Sequence, residues 1–246
     1  MRTLVLDIGN TATKAGCFAD GRLAETAAGL SAADTLALVR RWQPQHLLLA
    51  SVAGAEALQK ADFETEVAGK TIELKPGTTP VPLRNAYATP HTLGADRLAA
   101  AVGAAALRPG QDTLVLDAGT ALKADLVTAD GTYHGGSIAP GLGLRLRALH
   151  EFTGRLPLLA LPPPDATVAL CGDSTTGAML SGVVNGAVAE LNGFVAEYRR
   201  RYPRLGVLLT GGDAPFLSAR LAGRIFVIPE LVLLGLNRIL SYNVAE

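Results

Sequence analysis

Apolar and polar positions in the first part of the chain switch between a strand-like and a helix-like period. Thr3–Leu6 is a β-branched and leucine run that ends at Asp7, the pattern of a buried strand. After the turn Gly9-Asn10-Thr11 the chain returns over Lys14–Phe18. Asp20-Gly21 is then a hairpin signal into a third strand, Leu23–Ala27. Ser31 caps a helix over Ala32–Trp42, whose apolar residues recur at helical spacing. Leu47–Val52 reads as a strand, Ala55–Ala68 as a helix and Thr71–Leu74 as a short strand. The stretch "KPGTTPVPLRNAYATP" holds four prolines and predicts loop. An alanine-rich helix follows from Ala95 to Leu107.

Arg108-Pro109-Gly110 marks a boundary, and beyond it the pattern starts again. "LVLDIGNTATK" at Leu4–Lys14 becomes "LVLDAGTALK" at Leu114–Lys123. Asp7 corresponds to Asp117, Gly9 to Gly119, Thr11 to Thr120 and Lys14 to Lys123, with Asn10 skipped in the second copy. Asp20-Gly21 then pairs with Asp130-Gly131 as a second hairpin turn. A strand, a turn, a return strand and a further turn in one order point to duplication, and two long copies are no solenoid. The expected architecture is α/β. Two similar domains, 1–110 and 111–246, face each other, each a β meander followed by helices on a mixed sheet.

Composition narrows the chemistry. Hydrophobic residues make up 49% of the 246, enough for two cores, and 22 basic residues balance 22 acidic ones. No global field therefore favours nucleic acid or an anionic membrane, and anion binding has to be local. Cys17 and Cys171 lie outside any CxxC spacing and read as reduced, partly buried thiols of a cytoplasmic protein. Asp7 interrupts the first strand too early for a signal peptide. The longest apolar stretch, Leu98 to Leu107, is too short to span a bilayer.

The repeated turns are the main candidate site. A glycine turn between strands presents backbone N–H groups that, with a threonine hydroxyl, can hold phosphate. An aspartate at the strand end can hold a divalent ion bridging phosphate oxygens, or can simply cap the turn. No GxxxxGK[ST] occurs, so a P-loop is excluded. "LLTGGDA" follows a strand at Gly206–Leu209 and suits close approach of an adenosine group to Gly211 and Gly212. "HGGSIAPGLGL" is a further glycine-rich element before a helix of about Leu142–Leu149, on which Arg145 and Arg147 read as a solvated face. "TLGADRLAAA" puts Asp96 and Arg97 at a helix start. Asp96 is there either as a helix-dipole charge or as a general base on a substrate hydroxyl, with Arg97 holding a substrate carboxylate. The four histidines, His46, His91, His134 and His150, show no metal-ligand spacing.

With these residues in place, the chain resembles the type III pantothenate kinases of the acetate and sugar kinase/Hsp70/actin superfamily. "DIGNTATKAGCF", "NAYATPHTLGADRLAA", "DAGTA", "GGSIAPG", "TGGDA" and "PELVLLGL" match the family's motifs in order along nearly the whole chain. The resemblance implies two ribonuclease H-like (actin-like ATPase) domains, with a last helix at about 230–243 packing back on the first. It implies ATP-dependent phosphorylation of pantothenate in the cytoplasm. Asp7 would hold Mg²⁺, and Gly9, Asn10, Thr11 and Lys14 would surround the phosphates. Gly119 and Thr120 would also approach the phosphates, with Gly211 and Gly212 at the adenosine. Asp96 would be the base. Tyr87, Gly94 and Arg97 would contact pantothenate, as would Thr175, which the family supplies from the partner subunit of a homodimer. Asp117 would lie at a monovalent cation site for K⁺ or NH₄⁺.

One position departs from the family pattern. Where the second motif usually continues to a threonine, "DAGTALKAD" carries Lys123. This lysine can contact phosphate, can occupy the cation site, or can mark a non-catalytic nucleotide- or pantothenate-binding regulator on the same fold. A sugar kinase of the superfamily is a further alternative, against which Arg97 favours an acidic substrate.

Overall fold

The computed structural model describes residues 1–9, 12–51 and 58–245. Its strands and helices run, in chain order, β1 (Arg2–Ile8), β2 (Thr13–Ala19), β3 (Arg22–Leu30), α1 (Ala32–Trp42), β4 (His46–Ser51), β5 (Thr71–Glu73), β6 (Arg84–Asn85) and α2 (Ala95–Leu107). The pattern resumes with β7 (Thr113–Ala118), β8 (Ala121–Val127), β9 (Thr132–Pro140), α3 (Leu142–Glu151), α4 (Thr175–Leu180), α5 (Gly186–Arg201), β10 (Gly206–Thr210), α6 (Ala214–Ser218), β11 (Phe226–Val227) and α7 (Leu231–Val244). A π-helical turn, Ser181–Asn185, joins α4 to α5.

Two compact units form. One holds Met1–Gly110, Ala129–His134 and Glu230–Glu246; the other holds Gln111–Thr128 and Gly135–Pro229. The sheet of the first has the order β3-β2-β1-β4-β5, with β2 antiparallel to β1 and β3, and β4 parallel to β1 and β5. In the second the order is β9-β8-β7-β10-β11, with β8 antiparallel to β7 and β10 parallel to β7 and β11. The repeat read from the sequence is thus a repeat of strand order. β9 begins in the first unit, where Thr132 and Tyr133 pair in parallel with Arg84 and Asn85 of β6.

Local chemistry sets the element ends. Ser31 and Asp34 form a capping box at the start of α1, and Gln43 ends it in the left-handed conformation. In the first unit, α7 covers the sheet and packs on α2 at a close crossing. A Cβ on Gly235 would collide with the Ala99 carbonyl, and one on Gly103 would lie 2.6 Å from the Leu231 carbonyl. A buried hydrogen bond from Thr3 Oγ1 to Asn237 Oδ1, 2.7 Å long, ties α7 to β1. In the second unit, Leu114, Leu116, Leu142, Val184, Leu191 and Leu209 belong to one core.

Several expectations change. Of the helix expected over Ala55–Ala68, residues 55–57 lie outside the described residues. The remainder contains only a 3₁₀ turn, Lys60–Phe63, because Phe63 and Val67 imitate helical spacing while one turn suffices to bury them. "TYHGGSIAP", by contrast, is the strand that the Asp130-Gly131 hairpin turn predicts, glycines and terminal proline included. Arg145 is not on a solvated face: it makes a 2.6 Å ion pair with Glu190 of α5. Both cysteines are free, but Cys171 is exposed while Cys17 is buried, its thiol pushed up to about 11 by burial and then by Glu25. Among the described residues one helical stretch, Thr175–Arg201, is long and apolar enough by composition to cross a membrane. Its Val183, Val184, Ala187, Leu191 and Val195 lie in the second unit's core.

Candidate active site

In the first unit β1 carries Asp7 to its carboxyl end, the end at which open α/β sheets receive ligands. Asp7 faces Lys14 across the antiparallel ladder and lies level with Ala50 of β4. The turn between them closes through the Gly9 amide, which donates to the Ala12 carbonyl at 3.2 Å. Asn10 and Thr11, both expected at the phosphates, lie outside the described residues.

The second unit repeats this geometry. Asp117 faces Lys123, and the Gly119 amide donates to the Ala121 carbonyl at 3.1 Å. The turn is one residue shorter, at the point where the sequence skips Asn10. Lys123 Nζ donates to Asp117 Oδ2 at 2.8 Å, with the two side chains 16% and 14% exposed.

Thr210 of β10 is level with Asp117, so the Gly211-Gly212 turn starts beside the second aspartate. Gly211 has φ +97°, and a side chain there would meet the Ala118 carbonyl and lie 2.6 Å from Asp117 Oδ1. Only glycine tolerates both. The Asp213 amide donates to the same Ala118 carbonyl at 2.8 Å, and burial pushes the Asp213 carboxyl up. The exposed Thr120 accepts the Gly141 amide on its carbonyl at 2.9 Å, which ties the loop before α3 to this turn.

A further cluster forms at the start of α2. Gly94 occupies the N-cap and brings no side-chain cap, while Asp96 Oδ1 accepts the Arg97 amide at 2.8 Å. Arg97 is only 4% exposed. Its guanidinium sits 5.5 Å from the centroid of the Tyr87 ring, which stacks at 6.1 Å on the fully buried Tyr133. The Tyr87 amide is held by Asn85 Oδ1 at 3.0 Å. Tyr87, Gly94, Asp96 and Arg97 therefore come together from loop and helix. Tyr133, the floor of the stack, carried no signal beyond an aromatic residue after the Asp130-Gly131 turn. A cavity of about 510 Å³ opens beside Gly94, with Ser51, Glu73, Lys75, Thr78 and His91 among its lining residues. Its size suits a small-molecule ligand. Thr175 is exposed at the first residue of α4, whose N-cap Ser174 accepts the Gly177 amide at 3.1 Å.

These groups fit one ion and not the other. Mg²⁺ takes one or two carboxylates and completes its shell with water and substrate phosphate. Asp7, at a strand end beside a backbone turn, matches that demand. No group of three or more potential metal ligands occurs among the described residues. Asp117 does not fit a free monovalent cation, because its Oδ2 already holds the Lys123 ammonium.

A sequence profile of the type III pantothenate kinase family matches residues 3–197. The type III pantothenate kinase of Cytophaga hutchinsonii is 42% identical over 243 residues, 98% of this chain and 99% of that one. Among solved structures, a Campylobacter jejuni protein described as a Baf family transcriptional activator superposes with a TM-score of 0.63 at 20% identity, covering 99% and 100% of the two chains. A glucokinase from an Antarctic psychrotroph gives 0.53 at 13% identity, over 98% and 99%. At these identities the structural likeness is one of fold, the actin-like ATPase and sugar kinase fold of mixed sheets flanked by helices.

Proposed function

This chain belongs to the type III pantothenate kinases, and from that premise we propose how its residues phosphorylate pantothenate with ATP, the first step of coenzyme A synthesis. Asp7 would hold Mg²⁺, which would supply neutralisation of phosphate charge. In the first unit Gly9, Asn10, Thr11 and Lys14 are the candidates to bind phosphate; the second unit by itself offers Gly119 and Thr120 to phosphate and Gly211 and Gly212 to the adenosine group. Tyr87, Gly94 and Arg97 bind pantothenate. Arg97 takes its carboxylate, and the cavity beside Gly94 supports a small-molecule site on this unit. Asp96 receives the proton of the primary hydroxyl as the hydroxyl oxygen bonds to the γ-phosphorus and ADP leaves. Positioning and charge neutralisation carry most of such a transfer.

The observation that carries this reading is the pairing of Asp96 with a buried, aromatic-seated Arg97. A carboxylate and a guanidinium one residue apart suit a substrate that bears a hydroxyl and a carboxylate. The enzyme is read as a cytoplasmic homodimer in which Thr175 reaches the partner's pantothenate, with no nucleic-acid or membrane partner. Six large apolar side chains exposed in the second unit, Ile138, Leu144, Phe152, Leu158, Leu170 and Val227, support a covered surface there.

The test is a coupled kinase assay on wild type and Asp96→Asn. Loss of the base should lower kcat by roughly 10²–10⁴-fold with nucleotide affinity retained. Equal rates, or a wild type that leaves pantothenate unphosphorylated, would sink the assignment.

A further inference from the structure

We propose that Lys123 is a tethered cation that neutralises Asp117, so that this enzyme works without K⁺ or NH₄⁺. The carboxylate of Asp117 lies at the end of β7, where a bound polyphosphate would add to its negative charge. Two of its surroundings are fixed. Oδ1 lies against Gly211, whose missing side chain allows the backbone to approach, and Oδ2 is held at 2.8 Å by the Lys123 ammonium. The ammonium arrives by register rather than by chance of a surface rotamer, since Lys123 is the residue directly opposite Asp117 in the β7–β8 ladder. Both side chains are largely withdrawn from solvent, so the pair is weakly screened by salt.

An alkali ion and a lysine ammonium ask for the same oxygen ligands, but they differ in one respect. A free ion fills its site in proportion to its concentration. The tethered ammonium is present in every molecule. Lys14 occupies the same register against Asp7 in the first copy.

This inference rests on the kinase reading only for its activity arm, and a binding arm stands apart from it. Rates are measured with the Tris salt of ATP in choline chloride, KCl or NH₄Cl at one ionic strength. Wild type should vary by no more than about twofold, since screening is equal in all three. Lys123→Thr should lose about tenfold or more in choline, as for a lost charged hydrogen bond, and regain it in KCl or NH₄Cl. In the second arm the rise in melting temperature with Mg²⁺ and ADP is followed in the same salts. It should be salt-independent for wild type and should require K⁺ or NH₄⁺ for Lys123→Thr. Lys123→Met, which keeps the length and removes the charge, replaces the threonine variant if that one does not fold. A wild type stimulated tenfold by K⁺, or a variant that binds ADP equally in choline and KCl, overturns the proposal. An enzyme inactive on pantothenate that still shows the binding pattern overturns the substrate and leaves Lys123 standing.

Discussion

Arg97 keeps its charge inside the first unit by resting it on the Tyr87 ring, which rests in turn on Tyr133. A desolvated guanidinium over an aromatic face gains about 2 kcal/mol, and its planar fork matches a carboxylate, which a lysine ammonium does not. Arg97→Lys should therefore raise KM for pantothenate by about tenfold while kcat changes less, because the carboxylate is remote from the transferring phosphoryl group. Steady-state kinetics with pantothenate varied at saturating ATP decides it, and an unchanged KM would remove Arg97 from the carboxylate. Asp96 and Arg97 were legible in the sequence because a charged pair at the start of an alanine-rich helix is conspicuous. Tyr133 was not, since what matters is its stacking under Tyr87, 46 positions distant along the chain. Lys123 lay between these cases. Its departure from the family pattern was plain, but the ion pair with Asp117 follows only from the β7–β8 register.

Elements whose ends carry their own chemistry were read well. α2 runs over Ala95–Leu107 as expected, between Gly94 and Arg108-Pro109-Gly110, and α1 starts at its Ser31 cap. β9 follows the Asp130-Gly131 turn as the meander predicts, and pairing with neighbours overrides the preference of its glycines against a strand. The contact of α2 with α7 was legible only as an expectation that the last helix packs back. Its closeness depends on Gly103 and Gly235 meeting the opposite backbone. Gly235→Ala should force the helices apart at a cost of about 2 kcal/mol, lowering the melting temperature by about 4–8 °C. Gly193→Ala in α5 is the contrast: a Cβ there meets nothing within 4 Å, and the change should stabilise by about 1 kcal/mol through helix propensity. Differential scanning calorimetry on both variants checks the pair, and a Gly235→Ala protein as stable as wild type would mean the helices can separate freely.

At the scale of the whole molecule, the restart after Gly110 reflects two sheets with the same strand order. Ala129–His134 belongs with the first unit because Thr132 and Tyr133 pair with β6, a long-range ladder that no local pattern announces. Assembly lies further still from the sequence, and the proposed homodimer with a shared pantothenate site yields the most demanding prediction. Each site would take Asp96 from one subunit and Thr175 from the other, so two defective chains should repair one another. Asp96→Asn and Thr175→Ala chains, each poorly active alone at low pantothenate, are co-expressed with different affinity tags. In a two-fold dimer half of the random assemblies are mixed, and each mixed dimer contains one site with both native residues and one with neither. The pooled dimers should show roughly a quarter of the wild-type rate, and dimers purified through both tags about half. Rates no higher than the average of the two separate variants would place Thr175 in its own subunit's site or outside the site altogether.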